Sequence, residues 1–525
     1  MSSLHRNIFK VFSGTMFSRV LGFVREMLQA RFIGAGVEQS AFTMAFLVPN
    51  LFRRLFGEGA LTAAFLPIFK EEVEQKRWKE AQRLANAVFG IVALVLGVFV
   101  LLGFLAIGGV FAFWDVSERI SDTLRLILTM LPYALFICGA AYGMGILNAL
   151  NHWKAAAFTP CLLNIVWIAA LCGMAFWPDL PVRSRVFLLG FAILAAGILQ
   201  LTFVLLRVRA TKKADGTGIV LRPSFLGWGD GATKRVVSKT LQGAIGAGAA
   251  QICTAIDQLL AQAATPWAAG VIAFADRLME LPLGLFAVSF TTVLLPTLSG
   301  AFGRHAIEEA QETFMRAFVG LVKILLPAAV GIAVLAEDLT RAVYEGHLFD
   351  ETATVRVSRA LLCYAPGILF ISFSKILTQW FHAQQDIKRP VQINLAMIFV
   401  NLLLNCLSVF LLPEEWRHVG IVGSTVLCAA LTGLVLFLMA RRDSAFPSFR
   451  LAARPLGQTI VAAGTMGIVL VAAAPHLREA VPSFLPQGML GNFWALGLQI
   501  GLGASIYGAL LGVFWLIDSI KRRRS

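Results

Sequence analysis

Charge is what this 525-residue sequence lacks. Asp, Glu, Lys and Arg make up 14% of it, whereas soluble domains carry about 25%, and its mean hydropathy is +0.76. Nine stretches of 20 or more residues contain none of the four: 84–114, 126–153, 155–178, 186–206, 281–303, 390–413, 418–440, 455–477 and 480–517. About 20 apolar residues cross a bilayer as a helix, and the continuous, non-alternating runs exclude a β-barrel. Cysteine is scarce as well. Its seven residues lie inside apolar segments without paired spacing, which predicts buried free thiols and excludes a disulfide framework or a metal knuckle. The first ten residues lead into a segment carrying Arg19 and Arg25 rather than a signal-peptide core, so no segment is expected to be removed.

Five further apolar segments carry a few charges: roughly 8–31, 40–69, 240–263, 317–336 and 360–382. Together these runs predict an all-α polytopic membrane protein with 14 transmembrane helices. With the N-terminus inside, Lys and Arg number 28 in the inside segments against 9 in the outside loops. That bias places both termini in the cytoplasm. The net charge of +15 therefore reads as topology. The basic loops 70–83 and 207–239 and the tail Lys521 to Arg524 serve as topology signals and anionic-lipid contacts, and no basic–aromatic motif points to nucleic acid.

The two halves of the chain resemble one another. Leu131-Pro132-Tyr133-Ala134-Leu135-Phe136-Ile137 is echoed by Ala365-Pro366-Gly367-Ile368-Leu369-Phe370-Ile371. Asn148 to Asn151, Lys154, Pro160 and Asn164 are echoed by His382 to Gln385, Lys388, Pro390 and Asn394, with a four-residue indel. Ala64 to Pro67 matches Val293 to Pro296 more weakly. Segments 1–6 thus map onto 7–12. An even number makes the repeats parallel, so two six-helix lobes are expected around a central cavity, plus a C-terminal helix pair. The expected domains are 1–210, a cytoplasmic linker 211–239, 240–440, and 441–525, the last a possible lipid-tail groove.

Against this apolar background, the charges inside spans carry the chemistry. Segments 1, 2 and 8 hold Arg19, Arg25, Glu26, Arg53, Arg54, Glu58, Asp276, Arg277 and Glu280. An arginine at the bilayer centre costs about 2.5–3.5 kcal/mol if it faces lipid, so these must face water, acids or an anionic ligand. Arg54 can reach Glu58 at i,i+4 and Arg277 can reach Glu280 at i,i+3. The planar guanidinium fork grips phosphate bidentately and stays charged, so the expected substrate is an anion, a phosphate or pyrophosphate. Glu58, Asp276 and Glu280, with Arg54, are read as supporting charges.

Phe17-Ser18-Arg19-Val20-Leu21-Gly22-Phe23-Val24-Arg25-Glu26, Gly34-Ala35-Gly36, and the run Val48 to Ala60 with its Pro49-Asn50-Leu51-Phe52-Arg53-Arg54 identify a family. Ala275-Asp276-Arg277-Leu278-Met279-Glu280-Leu281-Pro282 and Gln385-Asp386-Ile387-Lys388 add to it. The chain closely resembles the MurJ/MviN lipid II flippases of the multidrug/oligosaccharidyl-lipid/polysaccharide exporter superfamily, over essentially its whole length. Ser40 and Leu47 stand where members often have an acid and a lysine. The resemblance implies a bacterial inner-membrane flippase that carries undecaprenyl-pyrophosphate-linked peptidoglycan precursor from the cytoplasmic to the periplasmic leaflet. It also implies partners among membrane lipids and cell-wall synthesis proteins, and a substrate set of Arg19, Arg25, Arg53 and Arg277. No cofactor is required. Some members bind sodium, for which Asp257, Asn401, Asn405 and Thr425 supply hard oxygens. The alternatives are export of another polyprenyl-pyrophosphate-linked glycan and, as a different class, an enzyme acting on polyprenyl phosphates. The enzyme is disfavoured by the lack of H-E-x-x-H, of a P-loop and of clustered acids, and by a longest expected outside loop of only 337–359.

Overall fold

The computed structural model describes residues 3–54, 60–212, 218–479 and 488–524, and these are helical with no strand among them. The chain forms two compact units, Met1–Gln258 and Leu259–Ser525, so the boundary falls inside a helix. The first unit comprises α1 (Ser3–Ile33), α2 (Val37–Phe52), α3 (Ala60–Glu74), α4 (Trp78–Phe113), α5 (Glu118–Met130), α6 (Tyr133–Ala149), α7 (Trp153–Met174), α8 (Val182–Arg209) and most of α9 (Gly231–Ala264). The second begins at the end of α9. It continues with α10 (Ala268–Pro282), α11 (Val288–Gly303), α12 (Ile307–Val334), α13 (Ala336–Tyr344), α14 (Glu351–Ala383), α15 (Lys388–Leu411), α16 (Arg417–Ala440), α17 (Ala453–Glu479) and α18 (Met489–Arg524).

Eleven helical stretches among the described residues are long and apolar enough to cross a membrane. They coincide with all nine charge-free runs and with the segments expected at 317–336 and 360–382. The other three expected spans correspond to α1, to α2 with α3, and to α9, and these hold Arg19, Arg25, Arg53, Arg54 and Asp257. They too are helical, α2 and α3 being 16 and 15 residues long. Pro132 divides α5 from α6, because it has no N–H to donate back along the helix. The stretch 337–359, expected as a loop, is a correction: α13 and the start of α14 occupy most of it, with Ala342, Val343 and Tyr344 buried. A mean hydropathy near zero hid a helix with one apolar face.

In the first unit, Phe42 and Phe46 pack edge-on against Trp167, and Tyr142 stacks among Phe65 and Phe89 while its hydroxyl donates to the Ala85 carbonyl at 3.0 Å. In the second, Trp380 is fully buried among Phe302, Phe314 and Phe446. The outward faces remain apolar, with Leu101, Leu102 and Leu105 of α4 and Trp515 of α18 well exposed, as lipid-facing helices require. The cysteines need a second correction. All seven are free, but Cys172 is exposed and Cys253, Cys363 and Cys406 are half-buried, because an apolar thiol in a bilayer protein can face lipid as readily as protein.

The internal repeat has a backbone signature. The described non-glycine residues with positive φ are Lys76, Asn151, His305 and Gln385, at +58°, +64°, +57° and +64°. They form two pairs. At Asn151 and Gln385 the residue donates three back, to Asn148 and His382 respectively, and its successor donates to Leu147 or Phe381. Lys76 and His305 end α3 and α11 with the same two-bond closure. Left-handed corners disfavour side chains, so the recurrence of four is a structural echo of the sequence match. Asn394 is exposed, whereas its sequence partner Asn164 is buried, so this pair shares a motif position and not a packing role.

After α8 the chain is strapped back onto α4. Gln82 brackets Val220, accepting from its N–H at 2.8 Å and donating to its carbonyl at 2.6 Å. Asn86 accepts from the N–H groups of Arg222 and Ser224, through its side chain and its carbonyl respectively. Arg83 pairs with Asp230 at 2.8 Å. A β-carbon on Gly90 would stand 2.4 Å from the Ser224 carbonyl oxygen, so only glycine admits the strap. Gly90→Val is expected to expel residues 218–230 and cost about 1–3 kcal/mol. Limited chymotryptic cleavage after the half-buried Trp228 should rise in that variant, and an unchanged cleavage rate would refute the contact.

Candidate functional site

Arg25 is the most enclosed of the expected substrate arginines, with its side chain 13% exposed. It projects from α1 toward α7. Nη1 donates to Asn164 Oδ1 at 3.0 Å, the guanidinium lies 4.3 Å from the centre of the Trp167 ring, and Nη2 pairs with the Glu26 carboxylate. Its Nε is buried with no hydrogen-bond partner, so one donor of the fork remains uncommitted. Asn164 also donates to the Ser18 carbonyl at 3.1 Å and passes over Gly22, where a β-carbon would meet it in ordinary contact at 3.9 Å. Ser18, Gly22 and Arg25 are successive turns of one α1 face, so a single asparagine fixes the arginine's height on the helix. Arg19, about 9 Å away along α1, is exposed and makes no ion pair among the described residues.

Pro49 interrupts α2, and the following turn carries the next two arginines. Arg53 donates through Nε and Nη2 to Asn50 Oδ1, at 3.2 and 2.9 Å. The partner expected for Arg54, Glu58, lies outside the described residues. Among the described residues, Arg54 donates to Gln251 Oε1 of α9 at 3.4 Å. Arg25, Arg53 and Arg54 each sit beside an amide, and Arg25 also meets one carboxylate and an indole. Amides orient a guanidinium without neutralising it.

In the second unit, Arg277 Nη1 donates to Glu280 Oε2 at 2.9 Å, the i,i+3 pair read from the sequence. Both side chains are more than a third exposed, and the half-buried Asp276 precedes them. Lys375 of α14, not singled out in the sequence, also interacts electrostatically with Glu280. A lone lysine in an apolar helix was the signal that would have found it. Reversing the pair, with Arg277→Glu and Glu280→Arg together, is expected to keep the fold while lowering transport about tenfold or more, because position and not only pairing matters. Equal stability with equal transport would show that the pair is structural.

Of the hard-oxygen residues, Asn401 and Asn405 are fully buried on one face of α15, and Asn405 Nδ2 donates to Asn401 Oδ1 at 3.1 Å. The Thr425 hydroxyl donates within α16 to the Ile421 carbonyl at 3.4 Å. Asp257 belongs to the first unit. No group of three His, Cys, Asp or Glu side chains suited to a metal occurs among the described residues.

Residues 29–490 match the family model described as lipid II flippase MurJ. The chain belongs to the lipid II flippase MurJ family. A probable lipid II flippase MurJ of Rhizobium tropici is 33% identical, over 99% of this chain and 97% of that protein. Lipid II flippase MurJ of Burkholderia cenocepacia is also 33% identical, over 88% and 90%. Among solved structures, lipid II flippase MurJ in an inward closed conformation superposes with a TM-score of 0.77, covering 97% of this chain and 99% of that one at 21% identity. An inward-facing multidrug resistance MATE family transporter of the MOP superfamily gives 0.66, covering 83% and 97% at 14% identity. The MurJ fold therefore holds across the whole chain, which is a multi-pass membrane protein of many apolar helices.

Proposed function

We propose that this MurJ family member moves lipid II from the cytoplasmic to the periplasmic leaflet of the bacterial inner membrane by alternating access, both termini lying in the cytoplasm. The observation that carries the site assignment is Arg25. A membrane-embedded guanidinium, oriented by Asn164 and Trp167 and keeping an unspent Nε donor, is built to take a phosphate oxygen. In this reading Arg19, Arg25, Arg53 and Arg277 grip the pyrophosphate, with Arg54, Asp276, Glu280 and Lys375 setting the surrounding charge. Moving a headgroup of charge −2 outward gains about 2.3 kcal/mol per charge per 100 mV of inside-negative potential. The prenyl tail would lie on the C-terminal helices. A cavity of about 360 Å³ between α12, α17 and α18, lined by Pro327, Ile332, Met466, Leu470, Leu496 and Tyr507, is almost wholly apolar and supports that assignment.

Reconstitution of the full chain in liposomes with labelled lipid II tests the function, together with rescue of a flippase-depleted bacterium. The absence of both flipping and rescue would defeat it. Rescue by a chain that exports a different polyprenyl-linked glycan would favour the alternative substrate.

A sodium ion, if coupled, would draw on the side-chain oxygens of Asn401, Asn405 and Thr425, with Asp257 as the anionic candidate. Support comes from the two asparagines being buried together on α15. Flipping that is independent of sodium and unchanged in Asp257→Ala would remove this reading.

A further inference from the structure

Where α7 begins and α8 ends, the first unit carries an open cavity of about 720 Å³, lined by His152, Trp153, Lys154, Phe158, Phe203 and Arg207 among others. The two helices pack along each other, and the Phe158 and Phe203 rings meet with their centres 5.9 Å apart. Lys154 precedes Phe158 by four residues and Arg207 follows Phe203 by four. Each cation therefore stands one helical turn, about 5.4 Å, beyond its ring and nearer the helix end. Arg207 lies 5.4 Å from the centre of the Phe203 ring, which holds its charge at the cavity. Neither Lys154 nor Arg207 enters an ion pair among the described residues. Trp153 and Phe158 remain more than a third exposed.

All of these residues sit at the ends of two membrane-spanning stretches, where hydrocarbon gives way to headgroups. From the end inward, the wall reads cation pair, aromatic pair, apolar helix. A phospholipid reads in the same order: phosphate, glycerol ester, acyl chain. Cations serving only as topology signals would need neither a cavity nor an aromatic floor.

We propose that this cavity binds the phosphate of an anionic phospholipid from the surrounding bilayer. Lys154 and Arg207 contact the phosphate, and Trp153, Phe158 and Phe203 cover the glycerol and the first acyl carbons. The site is separate from the four arginines assigned to the transported substrate and stands whether or not that assignment does.

Native mass spectrometry of the full chain, released from detergent and titrated with phosphatidylglycerol, reads the number and affinity of retained lipids. The Lys154→Ala, Arg207→Ala double variant is expected to retain one lipid fewer or to bind its first lipid about tenfold more weakly. Lys154→Arg with Arg207→Lys should retain it. So should Arg209→Ala, which removes one charge from the same helix end outside the cavity. Phosphatidylcholine should bind the unaltered chain several-fold more weakly, and excess inorganic phosphate should not displace the retained lipid. Both cation positions are exposed, and the paired Lys154→Gln, Arg207→Gln variant repeats the test with less loss of side-chain volume. Unchanged lipid number and affinity in either double variant overturns the proposal. Equal retention of phosphatidylcholine does so too, and displacement by inorganic phosphate would convert the cavity into a site for free anions.

Discussion

Replacing Arg25 with alanine is expected to lower lipid II flipping in liposomes by about tenfold or more, since a charge-assisted contact to phosphate contributes roughly 1.5–3 kcal/mol. Arg25→Lys should rescue little. A lysine keeps the charge but has neither the planar face that lies over Trp167 nor the fork that meets Asn164 and Glu26 at once. Asn164→Ala should fall between the two, because the guanidinium survives but loses its fixed height on α1. The obvious confounder is folding, since Arg25→Ala strips the largely buried Glu26 of one partner. The Arg25→Ala, Glu26→Ala double variant separates the effects: it should recover thermal stability and still fail to flip. Unimpaired flipping in a well-folded Arg25→Ala protein would remove Arg25 from the substrate contacts.

The second large effect is on stability. Arg185, 9% exposed at the start of α8, spends its guanidinium on three carbonyls: Leu180 at 2.8 Å from Nε, Phe32 at 3.1 Å from Nη1 and Pro178 at 2.6 Å from Nη2. Arg185→Ala removes three charge-assisted bonds and leaves carbonyl oxygens poorly satisfied, a loss of about 3 kcal/mol or more. For a unit of this size the apparent melting temperature in detergent should fall by about 5–10 °C. Arg185→Lys can reach one of the three at a time and should recover only part. A melting temperature within error of the parent would mean that water replaces the fork at no cost.

The extent to which the sequence disclosed these features follows from the range of the interactions. The charge-free runs became helices because in lipid a continuous apolar stretch has one way to satisfy its backbone. The match of Asn148 to Asn151 with His382 to Gln385 foretold a shared corner, and the structure supplies it as a left-handed residue in both places. The Arg277–Glu280 pair was legible because i,i+3 spacing is local geometry. The cradle of Arg25 was not: Asn164 and Trp167 lie some 140 residues away, and although the repeat singled out Asn164, nothing in the sequence tied it or Trp167 to Arg25. Gln251 escaped notice for the same reason, since the acid at Arg54's own i,i+4 position seemed the obvious partner. Hydropathy likewise misread 337–359, where the polar face of α13 masked its buried one.

The bonds at Ser18, Arg25 and Phe32 have a mechanical consequence. They rivet α1 to α7 and to the α7–α8 corner at points spread over about 21 Å of helix. Between such rivets neither helix can swivel or slide alone without breaking bonds to a buried guanidinium or amide. Arg19 and Arg25 therefore travel on a stiff two-helix beam, and any stroke that carries them must drag Lys154, at α7's far end, along with it.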